Sequence, residues 1–312
     1  MKKLHHFSEL TAELSQDQTI ALTLGNFDGV HRGHQKLIEV LRRESLDSEV
    51  LTVMTFDPHP WAFFNPTHSF VRLFSPQDQS EQFRTRGLAL HVSQPFNETF
   101  SQLSPEQFLQ DVFVSQKVSL VVVGHDFRFG RDRGGDLDVF QKFCLSKGIR
   151  FSIVPPVATA QGEIISSSRI RDFIRQGEVE RAQEFLGRPF EVHGQVRKGA
   201  QKGTAFGFPT ANLDSPMTLL PSGGVYISQT TVGQRVLPSI TNVGTAPTVR
   251  DETSLKVETH ILNFSETLYD QDMKVQFLKR VRPEIKFKSI EELRARIARD
   301  VQACKEYFSE NS

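Results

Sequence analysis

Five short apolar runs separated by helical patterns constrain the fold of the first half of the chain most strongly. They are TIALTL (19–24), EVLTVMTF (49–56), LALHVS (88–93), VSLVVVG (118–124) and IRFSIV (149–154). Several are apolar at successive positions, as strands buried on both faces of a parallel sheet are. Helical spacing follows in HQKLIEVLRRE (34–44) and SPEQFLQDVF (104–113), the second with a capping box at Ser104 and Gln107. The pattern predicts a doubly wound, Rossmann-like α/β sheet.

The pattern of apolar and polar residues changes at LGRPF (186–190). Short alternating segments follow, divided by Gly, Pro and Asn: FEVHGQV, GGVYISQTTVG, RVLPSITNVG, SLKVETHILNF and KVQFLKRV. Closely spaced strands with turn signals favour an antiparallel barrel or sandwich. A final amphipathic helix is predicted after a capping box at Ser289 and Glu292. We therefore expect two domains, residues 1–185 and 186–312.

Charge and cysteine content limit the partners and the compartment. Lys plus Arg and Asp plus Glu both total 37, so no overall field attracts nucleic acid or an anionic membrane. Cys144 and Cys304 lie far apart without metal-ligand spacing, which favours a reducing compartment. No membrane span or secretory signal is expected. We expect a cytoplasmic protein with small-molecule partners, and a homo-oligomer is left open.

The stretch GNFDGVHRGH (25–34) directly follows the first predicted strand. Ligands of open α/β sheets bind beyond the carboxyl ends of strands. His31 and His34 are expected near the free N–H groups of the next helix, which form a phosphate-binding corner. Gly33, which has no Cβ, lets a nucleotide or neighbouring backbone approach closely. From spacing alone, a histidine pair that only packs, or half of a metal site, remains an alternative.

Three other loops carry polar and aromatic side chains at predicted strand ends or helix starts: TFDPHP (55–60), GHDFRFGRDRGG (124–135) and IISSSRIR (164–171). Phe127 and Phe129 are candidates to flank a planar ring, and Asp126 is a candidate hydrogen-bond acceptor. The serines of IISSSRIR precede a predicted helix, where hydroxyls and N–H groups can hold phosphate. Each loop alone is also explained by a turn, a solvated surface or an N-cap.

Two segments of the second half have chemistry suited to phosphoryl transfer. GAQKGTAFGFPTAN (199–212) offers a glycine-rich loop, the Thr210 hydroxyl and the Asn212 amide, which suit phosphate or Mg²⁺. In SLKVETHILNF (254–264), period two places Lys256, Glu258 and His260 on the face opposite to Val257 and Thr259. A strand glutamate is normally solvent-facing, so the segment by itself leaves its role open.

Taken together, these motifs resemble a known family over nearly the whole chain. HRGH resembles the HxGH nucleotidyltransferases, and GNFDGVHRGH, TFDPHP, GHDFRFG and ISSSRIR are similar in order and spacing to the N-terminal module of the bacterial bifunctional riboflavin kinase/FAD synthetases. GFPTAN and VETHI resemble the riboflavin kinase signatures of the same family. The resemblance implies that a C-terminal barrel phosphorylates riboflavin to FMN and that the N-terminal domain adenylylates FMN to FAD, with ATP and Mg²⁺ serving both.

The resemblance also implies the site residues. Glu258 would be the base of the kinase, and His31 and His34 would stabilise the phosphates during adenylyl transfer. The other implied contacts are ATP at Gly25, Phe27, Gly33, Ser167, Ser168 and Arg171; flavin at Asp57, Pro58, Asp126 and Phe127; and, in the kinase, the phosphate and metal loop of Gly203, Gly207, Thr210 (with Mg²⁺) and Asn212.

Two departures and two alternatives accompany this interpretation. Ser168 stands where the family commonly has Thr, and Thr204 stands where a basic residue is common, a role for which Lys202 is a candidate. The first alternative is an HxGH nucleotidyltransferase with a non-flavin acceptor, which would have no use for a riboflavin kinase barrel. The second is a catalytically silent flavin-binding regulator, against which the intact motifs argue.

Overall fold

The chain folds into two compact units. The computed structural model describes residues 1–114, 116–198, 207–214, 218–246 and 254–311, without the side chains of residues 245, 246 and 254. The first unit comprises Met1–Phe70 and Pro76–Ile165, and the second comprises Val71–Ser75 and Ser166–Ser312. The short segment Val71–Ser75 thus groups with the later half of the sequence.

The first unit is built on a six-stranded parallel sheet in the order β1-β4-β3-β2-β5-β6. Its strands are β1 (Lys2–Leu4), β2 (Thr19–Leu24), β3 (Glu49–Asp57), β4 (Leu90–Pro95), β5 (Val118–Gly124) and β6 (Arg150–Val154). The five apolar runs form β2 to β6, which confirms the predicted α/β sheet, and β1 is an additional edge strand. The chain builds outward from β2 through β3 and β4, then continues on the other side of β2 with β5. The carboxyl ends of β2 and β5 therefore form a topological switch point, where such sheets bind ligands.

Helices cover both faces of this sheet: α1 (Arg32–Glu44), α2 (Pro60–Phe64), α3 (Pro76–Arg84), α4 (Glu98–Ser101), α5 (Pro105–Leu109) and α6 (Leu137–Ser146). Successive β2 residues enter different clusters, with Leu22 packed on the side of α5 and α6 and Ala21 on the side of α1. The predicted helix over 104–113 is split, because α5 continues as a π-helical turn at Gln110–Val114. The capping box of Ser104 and Gln107 is present.

The second unit contains a closed antiparallel barrel in the order β10-β11-β8-β7-β12-β9. Its strands are β7 (Phe190–Arg197), β8 (Ala211–Asp214), β9 (Gly224–Val232), β10 (Arg235–Ala246), β11 (Ser254–Ile261) and β12 (Asp272–Pro283). This confirms the predicted barrel. The sequence pattern did not indicate β8, because it has only four residues and follows a glycine-rich loop.

Part of the barrel interior is a chain of buried hydroxyl groups. Ser228 contacts both Ser239 at 2.8 Å and Thr241 at 2.7 Å between their oxygens. The chain extends from Ser239 to Thr230 at 2.7 Å and from Thr241 to Thr259 at 2.9 Å. All five residues are at most 1% exposed. Each hydroxyl is thus paired inside the core, where an unpaired one would be costly.

The C-terminal helix α9 (Ile290–Glu310) packs on the outer face of the barrel. Ser289 caps it by accepting a hydrogen bond from the backbone N–H of Glu292, as predicted. The predicted capping box is incomplete, because the Glu292 carboxylate accepts from the backbone N–H of Lys288 and not from that of Ser289. Cys304 and Val301 join a buried cluster with Ile240 and other barrel side chains. Arg282 of β12 pairs with the 4% exposed carboxylate of Asp300 at 2.8 Å. The apolar cluster and the ion pair together hold the helix against the barrel.

Two helices that precede the barrel in sequence also belong to the second unit: α7 (Ser167–Gln176) and α8 (Val179–Leu186). The Arg280 guanidinium of β12 donates to the carbonyl of Gln176 at 2.9 Å. The backbone N–H of Leu219 donates to the carbonyl of Arg72 at 3.0 Å, so the segment Val71–Ser75 is bonded to the same unit. The second compact unit begins at Ser166, and the domain boundary at 185/186 stays a prediction.

Candidate functional sites

The histidine pair lies at the amino end of α1, directly beyond the switch point. His31 is the N-cap, and its Nδ1 accepts a hydrogen bond from the backbone N–H of His34 at 3.3 Å. The two imidazole rings are stacked with centroids 3.6 Å apart. Because Nδ1 accepts a hydrogen bond, a neutral His31 carries its proton on Nε2. The arrangement combines imidazole donors with the positive end of a 13-residue helix.

The loop between β2 and α1 has an unusual backbone. Phe27 and Val30 have φ of 50° and 40°, and Gly29 has φ of 84°. Left-handed backbone at non-glycine residues stores strain and concentrates at functional sites. The side chains of Phe27 and Val30 are fully buried, and the Phe27 ring contacts His34 with centroids 4.9 Å apart. The carbonyl of Phe27 accepts hydrogen bonds from the Gln79 side chain and the backbone N–H of Val30, both at 3.1 Å, and its ring supports the histidine.

Gly33 is needed for a reason that the sequence did not reveal. A Cβ atom at residue 33 would lie 3.1 Å from Cε1 and 3.2 Å from Nδ1 of His31. Those distances are tighter than normal carbon contacts of about 3.5–4.0 Å. The absence of a Cβ at residue 33 therefore leaves room for the imidazole of His31, which caps the helix.

The two other predicted loops of the first unit lie at the same edge of the sheet. Asp57 ends β3, and its peptide bond to Pro58 is cis. Asp126 follows β5, and its Oδ1 lies 3.1 Å from the position of a Cβ on Gly124. Since β3 and β5 flank β2 in the parallel sheet, these loops follow the same carboxyl ends as the histidine loop. The structure thus brings together, along one edge, the residues predicted in all three loops.

Phe127 and Phe129 differ from the expectation that they flank a planar ring. Their centroids are only 5.8 Å apart, with an angle of 21° between the planes. A third ring between them would need about 7 Å, which is two contacts of about 3.5 Å. Phe129 is 5% exposed and contacts Phe140 of the apolar cluster, so it is a core residue. Phe127 is half-buried at the edge of that cluster.

The serine segment predicted to hold phosphates begins α7 in the second unit. Ser166 is the N-cap and accepts a hydrogen bond from the backbone N–H of Arg169 at 3.4 Å. Ser167 and Ser168 are the first residues of the helix, and Arg171 follows one turn later. The ordinary N-cap explanation is therefore correct for Ser166. The two following hydroxyls remain with the N–H groups of the first turn, the position that suits a phosphate.

A row of polar side chains crosses three strands of the barrel. Glu258 of β11 lies opposite Asn212 of β8 on one side and opposite Asn242 of β10 on the other. Directly opposed residues of antiparallel strands point to the same face, so these three side chains are neighbours. Glu258 is half-buried, whereas Val257 and Thr259 beside it are buried in the barrel interior. The predicted alternation along this strand is confirmed.

Thr210 and Gly207 lead directly into this row. Gly207 has φ of 85°, a left-handed conformation that glycine adopts without strain. Thr210 is half-buried and precedes the first residue of β8. Gly203, with Thr204 and Lys202, lies outside the described residues. The structure thus brings Thr210, Asn212 and Glu258 to one end of the barrel wall.

Two residues near this row were not singled out from the sequence. Asn242 comes into the row through the register of β10 on β11, a pairing that no local pattern specifies. Glu284 approaches the same region, because a Cβ on Gly244 would lie 2.8 Å from its Oε1 and 3.0 Å from Nδ2 of Asn242. The only available signal in the sequence was the glycine of TNVG, since a residue without a side chain permits close approach.

The two cysteines offer no nucleophile. Cys144 and Cys304 are both free and fully buried. Burial raises the pKa of the Cys144 thiol to about 12 and that of Cys304 to about 11. A thiol with such a pKa is protonated at neutral pH and is a poor nucleophile. Chemistry at either site must therefore proceed without a cysteine intermediate.

Comparisons with known proteins match the two parts of the chain to two different families. Residues 13–169 match the family model of FAD synthetase, and residues 186–308 match that of riboflavin kinase. The chain is 33% identical to the bifunctional riboflavin kinase/FMN adenylyltransferase of Escherichia coli K12, covering 99% of this chain and 97% of that one. The enzymes of that name from Listeria monocytogenes and Bacillus subtilis are 31% and 33% identical, each with 99% of both chains covered.

A solved structure supports the fold. A Streptococcus pneumoniae protein named for macrolide efflux superposes with a TM-score of 0.88 and 27% identity, covering 97% of this chain and 98% of that one. The name describes that protein, and its activity is not carried over to this chain. In the part of this chain that the structure describes, no helix is both long enough and apolar enough to cross a bilayer.

An α/β unit with the HRGH motif at a helix start, together with a barrel that carries the polar row of Asn212, Glu258 and Asn242, defines a two-domain transferase of flavin nucleotide biosynthesis. Both family models match, and the full-length relatives are more than 30% identical. The chain belongs to the bifunctional riboflavin kinase/FMN adenylyltransferase family.

Proposed function

We propose that the barrel phosphorylates riboflavin to FMN and that the α/β domain then adenylylates FMN to FAD, with one ATP consumed in each step. The observation that carries this proposal is the match of both family models to one chain, each over the part that holds the corresponding motifs. The catalytic groups of the two steps then occupy separate sites, so each step can be removed without the other.

In the kinase step, Glu258 is the general base. Its carboxylate accepts the proton of the terminal ribityl hydroxyl while that oxygen attacks the γ-phosphorus of ATP, and ADP leaves. Asn212 and Thr210 lie beside it and position the phosphates. Phosphoryl transfer depends mainly on such positioning and on electrostatic stabilisation. Glu258 is half-buried, so its carboxylate is partly shielded from water yet still open to a substrate.

Mg²⁺ is proposed as the companion of ATP in both steps. Magnesium prefers oxygen ligands and is usually held by one or two protein groups together with phosphates and water. The Thr210 hydroxyl and the Asn212 amide oxygen fit that preference, and no cluster of three or more His, Cys, Asp or Glu side chains suited to a metal occurs among the described residues. When bound, the ion neutralises phosphate charge during transfer.

In the adenylyl step, the FMN phosphate attacks the α-phosphorus of ATP and pyrophosphate leaves. The N–H groups of His31, His34 and the first turn of α1 stabilise charge on the phosphates. Gly25, Phe27 and Gly33 are the proposed ATP contacts of the first unit, and Ser167, Ser168 and Arg171 are the proposed phosphate contacts at the start of α7. Asp57, Pro58, Asp126 and Phe127 are the proposed flavin contacts. No covalent enzyme intermediate is required.

The domain assignment follows the chemistry. We assign adenylyl transfer to residues 1–185 and the kinase to residues 186–312, in line with the spans of the two family models. The balanced charge and the buried free thiols support a cytoplasmic enzyme. A homo-oligomer is compatible with this assignment.

Chromatography of a single incubation tests the proposal. Purified protein with riboflavin, ATP and Mg²⁺ is expected to yield FMN first and FAD later, and pyrophosphate is expected only with FAD. A protein that makes neither flavin nucleotide from oxidised or reduced flavin would be a binding regulator. Pyrophosphate release with a non-flavin acceptor, but never with FMN, would instead identify a different nucleotidyltransferase.

A further inference from the structure

His260 makes a contact that the proposed chemistry does not use. Its Nδ1 lies 2.8 Å from the backbone carbonyl oxygen of Pro209. A carbonyl only accepts, so Nδ1 carries the proton and donates it. The ring also meets Phe208 edge to face, with centroids 5.6 Å apart. One side chain of β11 thus holds two consecutive residues of the segment that leads into β8.

The hydrogen bond from His260 to Pro209 lies just beyond the last backbone pair between β8 and β11. The ladder between β8 and β11 has only three pairs, and its last pair joins Ala211 to Thr259. The next position would set Thr210 opposite His260. Pro209 has no N–H and cannot continue a ladder as a donor. The imidazole bond to its carbonyl therefore fixes the chain on the far side of Thr210.

We propose that His260 is a positioning residue of the kinase site, which holds the Thr210 hydroxyl in place for the phosphates of ATP without touching the substrate. Thr210 is held between the Ala211–Thr259 pair and the Pro209 bond, both made by β11. The same strand carries Glu258, so the base and the phosphate loop keep a fixed separation. This inference rests on the proposed role of Thr210.

The test compares substitutions that keep or move the donor. Asn places an amide N–H near the position of Nδ1, Gln places it near that of Nε2, and Leu removes it. We expect His260→Leu and His260→Gln to lower kcat/KM for ATP in riboflavin phosphorylation about tenfold, the equivalent of one hydrogen bond of about 1.4 kcal/mol. His260→Asn should stay within about threefold of the unaltered protein. FAD synthesis from supplied FMN should not change in any of them.

A double substitution separates positioning from general stability. In a Thr210→Val background the hydroxyl is gone, so adding His260→Leu should lower kcat/KM by less than about twofold. The inference would be overturned if His260→Leu lowered kcat/KM equally in both backgrounds. It would also be overturned if His260→Leu had normal kinase activity, or if His260→Asn were as impaired as His260→Leu. If Thr210→Val itself leaves the kinase unaffected, the proposed role of Thr210 is wrong instead. Should the leucine variant not fold, the Asn and Gln proteins decide the question.

Discussion

Glu258 and Asn212 occupy opposed positions of β11 and β8, one pair inside the end of their ladder. This relationship keeps the proposed base beside the phosphate loop. Glu258→Gln retains size and hydrogen bonding but removes the basic carboxylate. General-base assistance is typically worth about 10²–10⁴-fold, so we expect FMN formation to fall at least about 100-fold. The measurement is the initial rate of riboflavin phosphorylation.

FAD synthesis by the same Glu258→Gln protein is the control, because it is assigned to the other unit. With FMN provided directly, FAD synthesis should equal that of the unaltered enzyme, because the histidine corner belongs to the other unit. A variant that phosphorylates riboflavin normally would return Glu258 to the role of a surface strand residue.

The close contact between Gly33 and the ring of His31 predicts an effect of a single methyl group. In Gly33→Ala the new Cβ would meet His31 at 3.1 Å, so the ring must move by some tenths of an ångström. A misplacement of about 1 Å can cost roughly 100-fold in rate, and we expect FAD formation to fall about tenfold. Steady-state synthesis of FAD from FMN and ATP measures the effect.

Replacement of both His31 and His34 shows how much FAD synthesis depends on the two imidazoles, and it is the reference for the Gly33→Ala measurement. His31→Ala with His34→Ala should abolish detectable FAD synthesis while riboflavin is still converted to FMN. If a folded double variant lost both activities equally, the assignment of separate sites would be contradicted. A Gly33→Ala protein with unchanged FAD synthesis would show that the capping ring tolerates displacement.

A buried histidine of the first unit predicts acid sensitivity. His91 is 1% exposed, and its ring nitrogens contact Thr55 at 2.8 Å and Ser80 at 3.2 Å. Burial, assisted by the charge of Lys3, lowers its pKa to about 4 from 6.5. Between those values the unfolded chain binds a proton that the folded chain does not. The free energy of unfolding should therefore drop by about 3 kcal/mol as the pH falls from about 6.5 to about 4.

Urea unfolding followed by fluorescence measures this dependence in the appropriate unit. Trp61 is the only tryptophan of the sequence and lies in the first unit. His91→Gln removes the titrating group, so its unfolding free energy should change less between pH 7 and pH 5. An identical pH slope in both proteins would assign the acid sensitivity to other groups.

The packing of α7 and α8 predicts different stabilities for two kinase fragments. A fragment of residues 186–312 loses the buried side chains of α8, including Val179 and Phe185. A fragment of residues 166–312 keeps them. Each large apolar side chain contributes about 1.5–3 kcal/mol when buried, so the shorter fragment should melt about 10 °C lower. Scanning calorimetry measures this difference.

Activity completes the comparison of the fragments. Both should phosphorylate riboflavin at low temperature if residues 186–312 form a self-contained kinase, as the sequence predicts. Equal melting temperatures would mean that α7 and α8 add nothing to the barrel. An inactive short fragment beside an active long one would move the working boundary to Ser166.

Elements with a strong local signal could be predicted from the sequence, whereas contacts set by register could not. Strands β2 to β6 are apolar runs, so burial on two faces was visible in the residues themselves. The edge strand at Lys2–Leu4 has two lysines and one buried leucine, and its parallel pairing with β4 supplies what its composition lacks. The interior of the barrel was equally hidden, since a serine such as Ser228 gives no sign of burial.

Prediction of the site had the same limit. Glu258 was named because its motif resembles that of a family, whereas His31 and His34 were also indicated by their place between a strand and a helix. Asn242 and His260 gain their places through pairing between strands that are distant in sequence. Phe129 was expected at a ligand because it follows a strand end, yet its contact with Phe140 puts it in the core. Sequence patterns specify the direction of a side chain along a strand, but not which neighbour fills the space beside it.

The chain of buried hydroxyls inside the barrel has a calorimetric consequence. Apolar surface raises the heat capacity of unfolding by about 0.45 cal/K/mol per Å², whereas polar surface lowers it by about 0.26. A core that contains Ser228, Ser239, Thr241 and their partners therefore gives a smaller heat-capacity change of unfolding per residue than the phenylalanine-rich core of the α/β unit. A smaller heat-capacity change flattens the curve of the free energy of unfolding against temperature. The riboflavin kinase half is expected to lose stability more gradually, both on cooling and on warming, than the half that makes FAD.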